Sequence, residues 1–369
     1  MSLRESTNEY LKKRRERIIK GGINSIPSPF RRFREDFIGI EQATFYLITS
    51  YTKTGKTQFT SYLLFDALLY CYYSEASTGV SIKILYFPLE ETKERILTRF
   101  YSWLLYKIKN IRISPADLRS TNNEKPLPEH ILNMLEEDEI VDIVKYFEEH
   151  ILFFTEENPT GIYKVCKKYA EDNGTVFTKT AKYKDELGIL RDTQAFDYYV
   201  PNNPDEYVIP VIDHVSLIKD ERGFSKKEAI DKLSEYCAKE LRNKYGQSPI
   251  FIQQQNRANE SIDNIKMNMN RPSIAGLGDS SYTARDVNVA FGVFSPFKYG
   301  IKEYLGYPID ILKDHFRTLE VIINRDGTSG GIIGLFFDGA TCNWFELPKP
   351  DNKVEMEKVY NYLKTIKNN

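Results

Sequence analysis

A Gly-Lys-Thr triplet, Gly55 to Thr57, directly follows an apolar, β-rich run in FYLITSYTKTGKTQF, residues 45–59. With a strand before it and a helix after it, the stretch has the layout of a phosphate-binding loop, with Ser50 where a glycine is usual and Lys53 and Thr54 inside the turn. In such a loop backbone N–H groups wrap the β-phosphate, assisted by the positive end of the following helix. Lys56 would reach the β- and γ-phosphates of ATP, and the Thr57 hydroxyl would ligate Mg²⁺. Gly55 allows close backbone approach. Ser50 is small enough to keep the turn.

Hydrolysis needs more than a cradle, and three other apolar runs end in polar groups. YVIPVID ends in Asp213, placed to orient the water shell of Mg²⁺ and so to share the metal side of the site with Thr57. Pro210 in that run is awkward, because it removes a backbone donor from what should be a central strand. ILYFPLEE ends in Glu90 and Glu91, and a carboxylate there can polarise an attacking water as general base. PIFIQQQNR ends in Gln253, Gln254 and Gln255, then Asn256 and Arg257, and a neutral amide there can sense a γ-phosphate. Sites in open α/β sheets lie at the carboxyl ends of strands, which is where all these groups fall.

The elements needed to hold them can be read from periodicity. Apolar runs at 44–49, 81–87, 207–212, 249–254, 287–294 and 319–324 predict buried strands. Helical spacing marks 55–73, a helix from about Thr92, and one near 226–244 that stops at Gly246. This alternation predicts an α/β fold, a mainly parallel central sheet flanked by helices, with a C-terminal β-hairpin at 332–337 and 343–346. Residues 109–150 read as helical and acidic, and 175–206 as a polar insertion without a period. At the N-terminus a basic helix, 8–20, precedes the breaker GGINSIPSPF. The division is then a linker helix and linker at 1–30, an ATPase domain at 31–349, and a C-terminal helix or tail at 350–369.

Composition narrows the class. Hydrophobic residues are 41% and aromatics 13%, enough for a packed core. A net charge of -1 argues against uniform coating of nucleic acid, though not against a local basic channel. The four cysteines are far apart with no C-x-x-C pair, which fits reduced thiols in a cytoplasmic protein. No run of about 18 apolar residues predicts a membrane span.

The order of these parts resembles the C-terminal RecA-like ATPase domain of DnaB-type replicative helicases, along nearly the whole chain. RRERIIKGGINSIPSPF is similar to that family's linker helix and the segment leading into the domain, and SYTKTGKTQF occupies the Walker A place. YFPLEETKERILTR resembles the segment carrying the catalytic glutamate, which the resemblance places on Glu90. VIDHVSLI matches the Walker B strand, and FIQQQNR puts the γ-phosphate sensor at Gln254. RPSIAGLGDSSYTARDVNVAFGVF resembles the stretch whose loop follows single-stranded DNA, here Gly278, Asp279, Ser280 and Ser281, with Gly278 replacing a common arginine. IINRDGTSGG resembles the segment that gives an arginine finger to the neighbouring subunit, here Arg325, with Ile323 in place of a usual lysine.

The resemblance implies an ATP hydrolase and DNA helicase of the superfamily 4 type. It would be a homo-oligomer, a ring of six, that hydrolyses ATP at subunit interfaces, moves on single-stranded DNA, and meets a primase or loader. The family's primase-contacting N-terminal domain has no counterpart in this sequence, so the expectation is either a reduced phage or mobile-element form or another protein in that domain's place. Two other classes stand beside it. One is a RecA/KaiC-like DNA-binding ATPase that does not unwind. The other is a non-catalytic nucleotide-binding helicase partner, to which Ser50, Pro210 and Ile323 would point.

Overall fold

The computed structural model describes residues 3–184, 187–256, 260–261, 264–265 and 270–367, without the side chains of 3, 278–281 and 367. In chain order, a helix α1 (Leu3–Ile19) leads to β1 (Tyr46–Ser50), α2 (Lys56–Thr78), β2 (Ser81–Pro88) and α3 (Lys93–Lys109). Then come α4 (Asp138–His150), β3 (Ile151–Phe153), α5 (Pro159–Asp172), and the strands β4 (Gly174–Lys184), β5 (Leu190–Pro201) and β6 (Glu206–Asp213). A helix α6 (Lys226–Glu235) continues through a π-turn, Tyr236–Arg242, to a left-handed stop at Gly246. The chain closes with β7 (Ile250–Gln254), α7 (Ser281–Asp286), β8 (Val289–Phe294), β9 (Phe316–Asn324), β10 (Ile332–Asp338), β11 (Asn343–Glu346) and α8 (Lys353–Lys367).

A nine-stranded sheet in the order β11-β10-β9-β8-β1-β7-β6-β2-β3 forms the centre. From β8 to β3 every pairing is parallel, and from β8 to β11 every pairing is antiparallel. The expected C-terminal hairpin is β10–β11. The parallel strands are covered on both faces, so they read as unbroken apolar runs and alternate only in which layer they serve. Ile48, Ile84 and Tyr86 face the α2, α3 and α4 layer, with Phe59, Phe65, Phe100, Trp103 and Phe147. Leu47, Leu85, Phe87 and Phe251 face the α5 and α6 layer, with Ile162, Cys166, Leu233, Cys237 and Leu241.

Helix starts are set locally. The Thr92 side chain accepts from Arg95 N to open α3, Asn158 accepts from Gly161 N to open α5, and Ser225 with Glu228 forms a capping box on α6. Pro210 is accommodated because the β6–β7 ladder begins at Val211, one residue later. The missing donor therefore falls before the first rung.

Three segments differ from the sequence expectation. Residues 119–128 are turns rather than helix, where Pro126 and Pro128 interrupt the acidic stretch. The short β3 carries no strong pattern, while α5, unmarked in the sequence expectation, starts at Asn158 and Pro159 and buries Ile162, Cys166 and Ala170 on one face. The insertion is a β4–β5 hairpin, two-stranded and antiparallel. Val176, Phe196 and Tyr199 anchor its base, while Tyr183, Leu187, Ile189 and Leu190 are exposed. A ribbon solvated on both faces has no apolar alternation to detect. At the other end, α8 packs Met356, Leu363 and Ile366 onto Ile309, Leu312, Phe316 and Phe336. The basic helix α1 is held to the body by Arg14 on Glu41, 3.2 Å, and by an Arg17–Asp205 ion pair.

Candidate functional site

The loop from Ser50 to Gly55 leaves the carboxyl end of β1 and feeds directly into α2. Lys53 (φ 61°) and Gly55 (φ 103°) both adopt the left-handed conformation, an arrangement that gathers backbone N–H groups into an anion-binding concavity. A Cβ at 55 would also crowd the Trp344 ring, at 3.2 Å. The loop is braced from behind. The buried Arg317 donates from Nε to the Thr54 carbonyl at 2.8 Å, and Lys298 Nζ donates to the Thr52 carbonyl at 3.2 Å. Ser50 is fully buried and its hydroxyl donates to the Tyr51 carbonyl at 3.0 Å. A self-satisfied hydroxyl explains how serine fills the glycine position without an orphaned polar group.

Lys56 and Thr57 occupy the first turn of α2. Lys56 is buried, and among the described residues no carboxylate lies within ion-pair distance of it. A positive charge held in a cleft without a carboxylate suits an incoming phosphate. Thr57 donates from Oγ1 to Asp213 Oδ1 at 3.2 Å, and Tyr86 donates its hydroxyl proton to Asp213 Oδ2 at 2.9 Å. Burial pushes the Asp213 carboxyl up to about 6, against the Tyr86 and Thr57 hydrogen bonds that favour its charge; Glu91 and Glu90 nearby push it further up. A hydroxyl and a buried carboxylate that converge at a helix N-terminus fit Mg²⁺, which takes few protein ligands and keeps water and phosphate oxygens. Among the described residues no group of three acidic, His or Cys side chains forms an alternative cage.

The ends of β2 and β6 are tied together by Leu89 N donating to the Asp213 carbonyl at 2.7 Å. This places the two glutamates, and the structure separates them. Glu91 forms an ion pair with the buried Arg99, which also donates to Ser61 Oγ at 3.1 Å. Glu90 stays about half exposed, with its Oε2 3.6 Å from Nε2 of His214. Burial, then the Lys56 charge, pushes the His214 imidazole down to about 4, so the ring is neutral at pH 7.

The three glutamines are likewise sorted. Gln255 is buried and donates to Thr49 Oγ1 at 3.0 Å and to the Ser273 carbonyl at 3.1 Å. Gln253 is buried and donates to the Leu277 carbonyl at 3.5 Å. Gln254, on the opposite face of the strand, is only partly buried and pairs with Ser50 across the β1–β7 ladder, beside the phosphate loop. Arg257, two residues beyond Gln255, lies outside the described residues.

Arg325 is not part of this cluster. It follows β9, whose last residue Asn324 pairs with Val289, itself opposite Tyr46 at the start of β1. The arginine therefore lies at the amino end of the parallel strands, away from the loop that begins at Ser50. There it donates to the carbonyls of Val287 (2.7 Å), Ala284 (3.4 Å) and Arg285, at the end of α7. The expected Gly278–Ser281 loop is helical in backbone, Ala275–Ser280 running into α7, and its side chains lie outside the described residues. It is connected to the site, because Asn256 N donates to the Gly276 carbonyl at 2.7 Å.

Sequence reasoning missed Tyr86, His214, Arg99, Arg317 and Trp344. Tyr86 and His214 are near neighbours of motif residues, which is the one signal that could have found them. Cavities of about 870 and 780 Å³ lie elsewhere, between α6 and α7 and beside α1.

No protein-family model and no curated protein matches the sequence. Solved structures do. A DnaB-like replicative helicase, described with its primase interactions, superposes with a TM-score of 0.63 at 15% identity, over 94% of this chain and 67% of that one. A second solved structure, an ATPase domain on its own, superposes with a TM-score of 0.62 at 15% identity, over 94% of this chain and 99% of that one. At this identity the likeness is one of fold, and it agrees with the mainly parallel sheet and the chain order of the polar strand ends: the chain has the RecA-like architecture of DnaB-type helicase ATPase domains.

Proposed function

We propose that this protein is a ring-forming, ATP-dependent DNA helicase that moves on single-stranded DNA. The observation that carries the reading is the meeting of Lys56, Thr57, Asp213, Glu90 and Gln254 at the carboxyl ends of the adjacent strands β1, β7, β6 and β2. The loop amides and Lys56 hold the phosphates of ATP. Thr57 and Asp213 would hold Mg²⁺, which would supply neutralisation of phosphate charge. Glu90 accepts a proton from the water whose oxygen attacks the γ-phosphorus, while the bond to the β-phosphate oxygen breaks and ADP leaves. Glu91 is held by Arg99 and cannot turn to the water without leaving that guanidinium buried. Gln254 contacts the γ-phosphate region.

Arg325 faces the wrong end of its own sheet to serve its own ATP, which supports a finger acting on a neighbouring subunit. In six subunits the next copy would complete the site, and the Gly278–Ser281 segments would line a DNA path, coupled to β7 through Gly276. Residues 31–349 then form the motor, 1–30 its docking arm, and a primase or loader is the expected partner.

The test is a pair of substitutions. Glu90→Gln should lower kcat for ATP by about 10²–10⁴-fold, the usual worth of a general base. Glu91→Gln should keep most of it. Equal losses, or a loss only at 91, would contradict the assignment.

A further inference from the structure

His214 follows Asp213 immediately, yet its side chain does not join the Asp213, Thr57 and Tyr86 hydrogen bonds. It turns toward Glu90 instead. The residue is 7% exposed, its Nε2 is 3.6 Å from Glu90 Oε2, and its Nδ1 is buried with no hydrogen-bond partner. Glu90, in contrast, sits at the end of β2 on a side chain 49% exposed, in a segment where the next residue is the one held by an arginine. A general base needs its carboxylate held in one orientation, and nothing in the chemistry of a half-exposed glutamate supplies that.

We propose that His214 is a positioning residue for Glu90: its Nε2–H donates to Glu90 Oε2 and fixes the carboxylate so that Oε1 faces the attacking water. This rests on the reading of Glu90 as the base. Two further facts favour it. A ring that donates from Nε2 leaves an orphaned acceptor at Nδ1, which is tolerated in protein interiors more readily than an orphaned N–H. The backbone link from Leu89 N to the Asp213 carbonyl, 2.7 Å, holds the two side chains' strands in register. The separation is slightly longer than a hydrogen bond, as is common for catalytic contacts before substrate closes the site.

The test uses the full-length protein and ATP, with nucleotide affinity read from binding of a non-hydrolysable ATP analogue. His214→Gln places an amide donor near the Nε2 position and should keep kcat within a few-fold. His214→Leu removes the donor and should lower kcat by about 10–100-fold, the range expected when a reacting group is displaced by about an ångström. KM and analogue affinity should not change in either. In a Glu90→Gln background, His214→Leu should cost no further activity, because a residue that acts through Glu90 has nothing left to position. If His214→Leu fails to fold, His214→Asn, whose amide reaches only the Nδ1 position, replaces it with the same expectation. Equal activity in the Leu and Gln variants, additive loss with Glu90→Gln, or weakened analogue binding would each overturn the proposal. A Glu90→Gln enzyme as active as wild type would instead overturn the assignment of the base.

Discussion

The division of labour proposed for Glu90 and Glu91 rests on one arginine. Arg99 is buried and needs a carboxylate, and Glu91 supplies it. Glu91→Leu should therefore destabilise the fold by about 2–4 kcal/mol, because it leaves an uncompensated buried charge, and a thermal melt reads this directly. Glu90→Leu should leave the melting temperature nearly unchanged. The sequence could place both carboxylates at the strand end but could not choose between them without the family resemblance, since Arg99 is eight positions away on a helix whose contacts are tertiary. The same holds for the glutamines. Strand alternation puts 253 and 255 together and 254 apart, yet which face meets the phosphate depends on β1 lying next to β7. Arg317 is invisible in the sequence for the same reason: it braces the back of the loop and belongs to no local pattern, whereas Tyr86, which completes the hydrogen bonds of Asp213, at least lies beside a motif.

At the scale of elements, the loop between β6 and α6 shows how the site end of the sheet is held. Glu221 accepts from Thr160 N, 2.8 Å, at the start of α5 and from Lys232 on α6. Although burial alone would raise it, the Lys232 and Thr160 hydrogen bonds hold its carboxyl down at about 2. A depressed carboxylate stabilises the folded state above its unfolded pKa, near 4.5, and this contribution is lost as pH falls toward 2. The group is partly exposed, so the effect is under about 1 kcal/mol. Glu221→Gln should accordingly lower the melting temperature slightly at pH 7, with the gap closing as pH falls from about 4.5 to 2. A gap that persists at the acid end would assign the effect to packing instead. Most strands and the α2, α3 and α6 helices are legible because buried parallel strands are apolar runs and capped helices announce their starts. The β4–β5 ribbon is not, since solvent on both faces erases the alternation that betrays a strand.

For the whole molecule, the position of Arg325 at the far end of its own sheet is what supports the proposal that the decisive chemistry lies between copies of the chain. Arg325→Ala should leave analogue binding intact and remove turnover, and its loss should be rescued in mixed assemblies by Lys56→Ala subunits that still carry the finger. Deleting residues 1–25 removes α1, whose contacts to the body include the Arg14 and Arg17 ion pairs, and should shift light scattering toward smaller species. The architecture of the whole is legible from strand order and polar strand ends, whereas for a proposed assembly the sequence offers Arg325 by resemblance and says nothing of the surfaces that would meet it. The most direct test of the central claim is ATP turnover by the purified protein with and without single-stranded DNA, with Lys56→Ala as control. The account predicts turnover that DNA stimulates and that the substitution abolishes. ATP binding without turnover in either condition would contradict it and make the protein a nucleotide-binding partner rather than a motor.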